Sequence, residues 1–275
     1  MSKPRDPENV ELEFEWKQNT TVSFEDIGGN DDIKESLQEN LIAPLEDSDH
    51  YYDMYGIEPV RGILLHGPPG TGKTMFGRAI ANELDRPYVE ADQSTLTSPA
   101  VNQGPQLINR IFEEAHYLGG IVFIDEAEQL LSDRGGENSH QMDEKATNTF
   151  LSKLAQEEQD FIVILTTNRR DLIDEAVIRA GRIDIEFEVG VPDRQGRADI
   201  LKKNLDDVPH NFDNDDIIKI VEETNGWSGA DIESLIANAK RVAAKDKDPQ
   251  LTMEHIDFSS VNRTPDMNSD FDTTI

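Results

Sequence analysis

The sequence contains no cysteine, which excludes disulfide bonds, thiolate metal sites and a cysteine nucleophile. It also lacks any run of about 18 apolar residues, so no transmembrane helix is expected. The first residues, Met1-Ser2-Lys3-Pro4, have no apolar signal region and no myristoylation pattern. A soluble cytoplasmic protein without a membrane partner is therefore expected.

Basic residues are scarce: 26 lysines and arginines stand against 56 acids, and the net charge of the 275 residues is −30. Acids outnumber bases in the N-terminal, central and C-terminal parts alike. The many acidic side chains repel one another at low salt. At 1 M salt this repulsion is screened, because the Debye length shrinks to about 3 Å. This favours a protein from a high-salt cytoplasm, with an ordinary acidic protein as the alternative. Nucleic-acid binding is not expected, since it needs a basic face.

From residue 62 onward, apolar runs alternate with helical patterns, which predicts βαβ units and an α/β fold with a parallel five-stranded sheet covered on both faces. The predicted strands are 62–66, 87–91, 121–125, 161–166 and 184–189. The predicted helices are 73–84, 105–117, 143–157 and 172–179. An earlier helical pattern begins after Asn30 and stops near Pro44.

Beyond residue 193 the strand pattern disappears, and helices at 193–205, 214–224, 229–245 and 252–258 predict a small all-helical lid domain. The predicted domain organisation is an N-terminal arm (1–22), an α/β core (23–191), the helical lid (192–262) and an acidic tail (263–275). The arm alternates weakly enough to be an edge strand or a docking segment.

A glycine-rich loop follows the first predicted strand: Gly67-Pro68-Pro69-Gly70-Thr71-Gly72-Lys73-Thr74 has the pattern of a phosphate-binding loop. Its glycines let backbone N–H groups turn inward around an anion. Lys73 can reach the β- and γ-phosphates, and the Thr74 hydroxyl can bind Mg²⁺. The sequence therefore predicts a nucleoside triphosphate site.

Two acids, Asp125 and Glu126, directly follow the apolar strand at 121–124. Ligands of parallel sheets bind at the carboxyl ends of the strands, where the phosphate loop also begins. Asp125 is thus suited to hold Mg²⁺ through water, and Glu126 to accept a proton from the attacking water. Without the phosphate loop, two such acids would be typical of a helix N-terminus.

Three further residues have two interpretations each. Asn168 follows the strand at 161–166 and either orients the γ-phosphate and water or simply forms a turn. Arg179 and Arg182 flank Ala180-Gly181. They either cap a helix or act as fingers that reach the γ-phosphate of a neighbouring subunit.

Together these motifs resemble the AAA ATPases, in the branch of the proteasomal ATPases and cell-division-cycle unfoldases, over about residues 22–262. Phe24–Gly29 resembles the family's adenine-contacting motif, residues 166–184 its second region of homology, and Trp227–Asp231 its lid motif. The resemblance implies a single AAA module in a homo-hexameric ring that hydrolyses ATP with Mg²⁺ at subunit boundaries and remodels or unfolds a protein partner.

The resemblance also assigns roles to individual residues. Those implied in catalysis are Lys73, Glu126, Asn168, Arg179 and Arg182. Those implied in nucleotide binding are Asp26, Ile27, Gly28, Pro69, Gly70, Thr71, Gly72, Lys73, Thr74, Met75, Asp125, Asn168, Gly229 and Ala230, with Thr74 and Asp125 at the metal.

Three positions depart from the family pattern. Ala100 stands where the first pore loop normally has an aromatic residue, so the grip on a threaded polypeptide should be weak. Asn204 replaces a ribose-side His, and Glu128 an Asp that often follows the catalytic Glu. These departures leave open an alternative function: an ATP-switched assembly or adaptor protein that does not thread polypeptide.

Overall fold

The computed structural model describes residues 12–18, 20–46, 51–96, 103–131, 141–155, 160–173, 175, 178 and 182–261. The chain divides into two compact units. One, called the sheet unit, comprises Met1–Ser23, Asp32–Gly67 and Lys73–Glu188. The other, called the helical unit, comprises Phe24–Asp31, Pro68–Gly72 and Val189–Ile275. In the part of the chain that is described, no helix is both long and apolar enough to cross a bilayer.

Five parallel strands form the centre of the sheet unit, in the order β2-β3-β4-β1-β5. They are β1 (Gly62–His66), β2 (Tyr88–Ala91), β3 (Ile121–Ile124), β4 (Ile162–Thr167) and β5 (Ile185–Glu188). The strands β1, β3 and β4 are buried almost throughout, as expected for the middle of a parallel sheet. The predicted fold class is confirmed, and every strand lies within one residue of its predicted bounds.

Helices accompany this sheet, and several of them contribute to its apolar core. They are α1 (Asp31–Leu37), α2 (Ala43–Glu46), α3 (Tyr51–Met54), α4 (Lys73–Glu83), α5 (Gln93–Leu96), α6 (Gln103–Leu118), α7 (Glu128–Leu131) and α8 (Gln141–Leu154). Phe112 of α6 meets Phe150 of α8 edge to face, with ring centroids 5.4 Å apart. The helices predicted at 73–84, 105–117 and 143–157 correspond to α4, α6 and α8.

Two predictions about helices need correction. The first helical segment does not stop near Pro44 but continues to Glu46, through a π-helical turn at Gln38–Ile42. The wider turn accommodates a proline, which has no N–H to donate, and the carbonyl of Asn40 accepts from Val60 N instead (3.2 Å). The helix predicted at 172–179 does not begin at Leu172, which ends a 3-10 turn; much of its remainder lies outside the described residues.

The N-terminal arm docks on the sheet unit at Trp16, whose side chain is buried. The carboxylate of Glu114 on α6 accepts hydrogen bonds from the backbone of Glu13 (2.8 Å) and the indole of Trp16 (2.9 Å). Lys17 forms an antiparallel bridge with Tyr88 of the edge strand β2. Residues 12–18 of the arm therefore pack on α6 and β2, in keeping with the docking segment that was one of its two predicted roles. The acidic tail 263–275 lies outside the described residues.

The helical unit contains three helices, α9 (Arg194–Leu205), α10 (Asn214–Glu223) and α11 (Gly229–Asp246). Each begins at an acid or serine whose side chain accepts from the backbone N–H three residues on: Asp193, Asp213 and Ser228. Three of the four predicted lid helices are thus confirmed.

The prediction of a fourth lid helix at 252–258 is wrong. The segment forms two separate 3-10 turns, Met253–His255 and Phe258–Ser260. Ile256 between them is extended, and the carboxylate of Asp257 accepts from Ser259 N (2.9 Å). A side chain that binds its own backbone in this way competes with continuous helix.

Candidate active site

The loop between β1 and α4 bends at three glycines with positive φ: Gly67 (140°), Gly70 (76°) and Gly72 (95°). Residues with a side chain rarely adopt this backbone conformation, so the spacing of the glycines follows from the turn. The Thr71 hydroxyl donates to the carbonyl of Pro68 (2.9 Å) and helps to fix the loop. The predicted phosphate loop therefore has a glycine-dependent backbone of the kind that an anion nest requires.

Lys73 begins α4 and is buried, with 7% of its surface exposed. Its Nζ donates to the carbonyl of Gly67 at 2.9 Å. Burial lowers the pKa of Lys73 from 10.5 to about 8, although the nearby carboxylates of Asp125 and Glu128 oppose this shift. A buried ammonium group held by the carbonyl of Gly67 is chemically suited to bind an anion.

A group of oxygen atoms lies beside α4 at the carboxyl end of β3. Thr74 Oγ1 and Asp125 Oδ2 are 3.5 Å apart. The other oxygen of Asp125, Oδ1, accepts from the hydroxyl of Thr166 and from the backbone N–H of Glu126 (3.1 Å). A hydroxyl and one carboxylate fit Mg²⁺, which typically retains several waters in phosphate sites. Among the described residues, no set of three or more His, Cys, Asp and Glu side chains could hold a metal by itself.

Glu126 has a left-handed backbone conformation, with φ of 51°. For a residue other than glycine this costs about 1–3 kcal/mol and is concentrated at functional sites. The carboxylate is exposed and accepts a hydrogen bond from Nε2 of Gln129 on α7. Sequence analysis missed Gln129; its position three residues after Glu126, at the start of a helix, is the pattern that could have indicated it.

Asn168 follows β4 directly, and β4 pairs with β1, the strand that leads into the phosphate loop. Gly67 N donates to Thr167 O (3.3 Å), and Thr167 Oγ1 accepts from Arg169 N (2.9 Å). The second hydrogen bond turns the chain around Asn168, whose side chain is half-buried. The turn-forming role and the phosphate-sensing role that the sequence left open are therefore compatible in one residue.

Arg182 lies at the other end of the sheet. Its carbonyl oxygen approaches Gly62 at the start of β1, whereas the phosphate loop follows the end of that strand. Five residues of strand separate the two points by about 16 Å, which is farther than an arginine side chain extends. Arg182 is thus remote from Gly67 of its own chain. Arg179 and Ala100 lie outside the described residues.

The other predicted nucleotide contacts belong to the helical unit. Asp26 forms an ion pair with Lys203 of α9. A Cβ atom on Gly28 would lie 2.6 Å from the carbonyl oxygen of Gly196, so Phe24–Asp31 and α9 approach too closely for a side chain. Ile27 is buried. The sequence did not predict the partners Lys203 and Gly196, which are remote in the chain.

The start of α11 meets the phosphate loop within the helical unit. Ala230 N donates to Gly70 O at 3.1 Å, and a Cβ on Gly70 would lie 2.9 Å from the Ala230 Cβ. Gly229, the first residue of α11, lies beside the same carbonyl; a Cβ there would be 3.5 Å from it. This contact brings the predicted lid motif to the loop, as expected.

Two of the departures from the family pattern, Asn204 and Glu128, lie in different local surroundings. The amide of Asn204 donates back to Ile200 O (2.9 Å), and Asn204 O accepts from Lys240 Nζ (3.1 Å). Glu128 Oε2 is buried and has no hydrogen-bond partner among the described residues. Of the remaining loop assignments, Pro69 and Met75 are half-buried.

Comparisons with known proteins agree with this geometry. Residues 63–191 match the family model of the ATPase family associated with various cellular activities (AAA), and residues 214–258 match the AAA+ lid domain. The proteasome-activating nucleotidase of Methanopyrus kandleri is 32% identical over 258 residues, 91% of this chain and 58% of the relative.

Two further relatives show the range of matches. Proteasome-activating nucleotidase 2 of Haloferax volcanii is 34% identical over 87% of this chain and 59% of its own length. The cell division cycle protein 48 homolog of Archaeoglobus fulgidus is 35% identical over 82% of this chain and 31% of its own length. The chain thus spans about a third to three fifths of the length of these curated relatives.

The parallel sheet with its phosphate loop is the fold of the P-loop nucleoside triphosphatases, and the helical unit after it matches the lid. The chain therefore belongs to the AAA ATPase family, with an AAA domain followed by an AAA+ lid.

Proposed function

We propose that this chain is a Mg²⁺-dependent ATPase that assembles into a ring, in keeping with a homo-hexamer, and remodels a protein partner. The observation that carries the proposal is the cluster at the carboxyl end of the sheet. There the buried ammonium of Lys73, the Thr74–Asp125 oxygen pair and the strained Glu126 occur together in one unit. A strand-to-helix turn without a ligand requires none of these three features.

Each residue of the cluster has a distinct task. Lys73 binds phosphate oxygens, while Thr74 and Asp125 would hold Mg²⁺, which neutralises developing charge when bound. Glu126 accepts a proton from the attacking water, and Gln129 holds its carboxylate until then. Asn168 hydrogen-bonds the γ-phosphate. The adenine-side contacts predicted for residues 26–28, 229 and 230 stay predictions.

The position of Arg182 supports hydrolysis at a boundary between subunits. Its backbone is fixed at the amino end of β1, too far from Gly67 to serve its own loop. If Arg182 stabilises transition-state charge, it must therefore do so at the nucleotide of a neighbouring copy. We assign this role to Arg182, and Arg179 stays a second candidate.

The partner class is the least constrained part of the proposal. The relatives are named proteasome-activating nucleotidases and a cell division cycle protein, which favours a protein partner. Ala100 favours the second candidate, an ATP-switched assembly protein whose ring state is its output. The high-salt, cytoplasmic setting and the absence of nucleic-acid partners stay predictions based on the net charge of −30.

One experiment separates the two candidates. Steady-state ATP hydrolysis is measured with and without an unfolded polypeptide, for wild type and Ala100→Tyr, in molar KCl. A remodelling enzyme is stimulated by the polypeptide, and Ala100→Tyr is stimulated more, because an aromatic side chain adds contact area. Stimulation of neither protein would leave the assembly protein as the better candidate.

Glu126→Gln is the matched control in this experiment. It should keep ATP binding, while turnover falls at least ~10²-fold, as expected for the loss of a general base. Hydrolysis near the wild-type rate in Glu126→Gln would refute the role of Glu126 and, with it, the proposed site.

A further inference from the structure

Three adjacent strands of the sheet unit are joined by a charged cluster, which lies near the carboxyl ends of β1 and β4 and near the start of β5. Glu186 on β5 contacts His66, the last residue of β1, with Nε2 and Oε1 3.1 Å apart. The same carboxylate accepts from Arg170, which lies in the 3-10 turn after β4. In the strand order β4-β1-β5, this cluster, called the His66–Glu186–Arg170 network, spans the width of all three strands.

The geometry of the network fixes the direction of its hydrogen bonds. Arg170 Nε donates to Glu186 Oε1, and its Nη2 lies 3.4 Å from Oε2, so the guanidinium approaches both oxygens side-on. The same Nη2 also donates to Glu175 Oε1 at 3.2 Å. A carboxylate oxygen only accepts, so a hydrogen bond across the 3.1 Å contact requires neutral His66 to carry its proton on Nε2.

The three side chains are mostly shielded from water: 18% of His66 and 27% each of Arg170 and Glu186 are exposed. Burial lowers the pKa of His66, the carboxylates of Glu186 and Glu188 raise it, and the charges of Arg170 and Lys73 lower it. The bond to Glu186 raises the pKa of Arg170. At neutral pH the network is thus a neutral imidazole beside a paired guanidinium and carboxylate.

The ends of this network lie next to the groups that handle phosphate. His66 is covalently followed by Gly67, whose carbonyl holds Lys73. Arg170 is two residues beyond Asn168, in a chain segment that turns at Thr167. A shift of the Arg170 anchor would therefore move Asn168 relative to the start of the phosphate loop.

We propose that His66, Glu186 and Arg170 are positioning residues that hold Asn168 in register with the phosphate loop. The proposal rests on the proposed ATPase function of this site. None of the three touches the reacting atoms; each acts through the segment that it anchors. Small misplacements of aligned groups can reduce rates by up to about 10²-fold. Weakening this anchor should therefore cause a measurable loss of hydrolysis rate.

A neighbouring ion pair supplies the control. Arg169 binds Asp171 (2.8 and 3.0 Å), but both side chains are exposed, and the pair joins residues of one turn rather than two strands. Exposed pairs contribute little to stability. Arg169→Ala removes the same chemical group one position away without touching the network.

The first test is kinetic. Arg170→Ala should lower kcat for ATP hydrolysis about 10-fold with KM changed less than about 2-fold, because the loop still binds the triphosphate while Asn168 loses its register. Arg170→Lys should recover part of the loss, and Arg169→Ala should match wild type. If Arg170→Ala is no slower than Arg169→Ala, the positioning role is refuted. If wild type itself does not hydrolyse ATP, it is the proposed function that fails.

The second test needs no nucleotide. The pKa of His66 is followed by NMR, with its ring signals assigned by their loss in His66→Gln. Arg170→Ala should raise this pKa and Glu186→Gln should lower it further, because one removes a nearby cation and the other a nearby anion. Arg169→Ala should leave it unchanged. Unchanged His66 titration in both network variants would overturn the network, whether or not the chain is an ATPase.

Discussion

The two ends of the parallel sheet carry different kinds of residues. At the carboxyl end, Lys73 is buried with a lowered pKa, and Glu126 has a positive φ. At the amino end, Gly62 and Gly120 are packed so tightly that neither leaves room for a Cβ atom. The carboxyl end therefore holds unfavourable features that a bound ligand could relieve, whereas the amino end is optimised for close packing.

This difference explains how one sheet can serve two sites. Polar and charged groups collect where strands end and helices begin, because exposed N–H groups there attract anions. The packed amino end instead holds the backbone of Arg182 against Gly62. In the function proposed above, the carboxyl end would bind a ligand of its own chain, and Arg182 would act on the ligand of a neighbouring copy.

The largest effect should follow from removing the cation at the amino end. Arg182→Ala should reduce turnover about 10³-fold, the lower range for a residue that stabilises phosphoryl-transfer charge. ATP binding should persist, because the phosphate loop is unchanged. Steady-state kinetics and a nucleotide-binding titration measure both. A tenfold loss of ATP affinity with unchanged kcat would mean that the arginine does not act in the transition state.

A smaller effect is expected from disturbing the packing itself. In Gly62→Ala the new methyl would lie 3.0 Å from the Cα of Ile183 and collide with the carbonyl of Arg182. Overpacking of this kind should lower the free energy of unfolding by about 1–3 kcal/mol, measured by urea titration. Gly190→Ala is the matched control, since its Cβ meets nothing within 4 Å. Equal stabilities of the two variants would contradict close packing at the amino end.

The smallest effect should be a gain in stability at the carboxyl end. The pKa of Lys73 is 10.5 in the unfolded chain and about 8 in the fold, so its charge opposes folding most strongly below about pH 8. Without nucleotide at pH 7, Lys73→Met should raise Tm by roughly 3–6 °C. The difference should shrink as the pH rises from 8 towards 10.5, where wild type no longer needs to bury a charge. A pH-independent Tm difference would mean that Lys73 titrates normally.

Local patterns predicted much of the fold. The strand at 62–66, the loop to Thr74 and helix α9 follow from an apolar run, glycine spacing and a helical pattern, each visible within a few residues. Asp125 and Glu126 were predictable for the same reason, since the end of a buried strand is visible in the sequence.

Features that depend on distant partners could not be predicted. The carboxylate of Glu114 binds Trp16 from 98 positions away, and Glu186 binds Arg170 across a strand. Neither contact leaves a periodic pattern in the sequence. The prediction of a helix at 252–258 failed for a different reason: its apolar spacing suits a helix, but the Asp257 carboxylate accepts from the backbone of Ser259 and begins a separate turn.

The central claim is that ATP is hydrolysed where the carboxyl end of one sheet unit meets a cation of the next copy. It is tested most directly by mixing equal amounts of Arg182→Ala and Glu126→Gln subunits, each nearly inactive alone, and measuring ATP turnover. A boundary with an intact Glu126 on one side and an intact Arg182 on the other should be active, so random mixing should restore about a quarter of the wild-type rate. Turnover that stays at the sum of the two separate variants would contradict the claim.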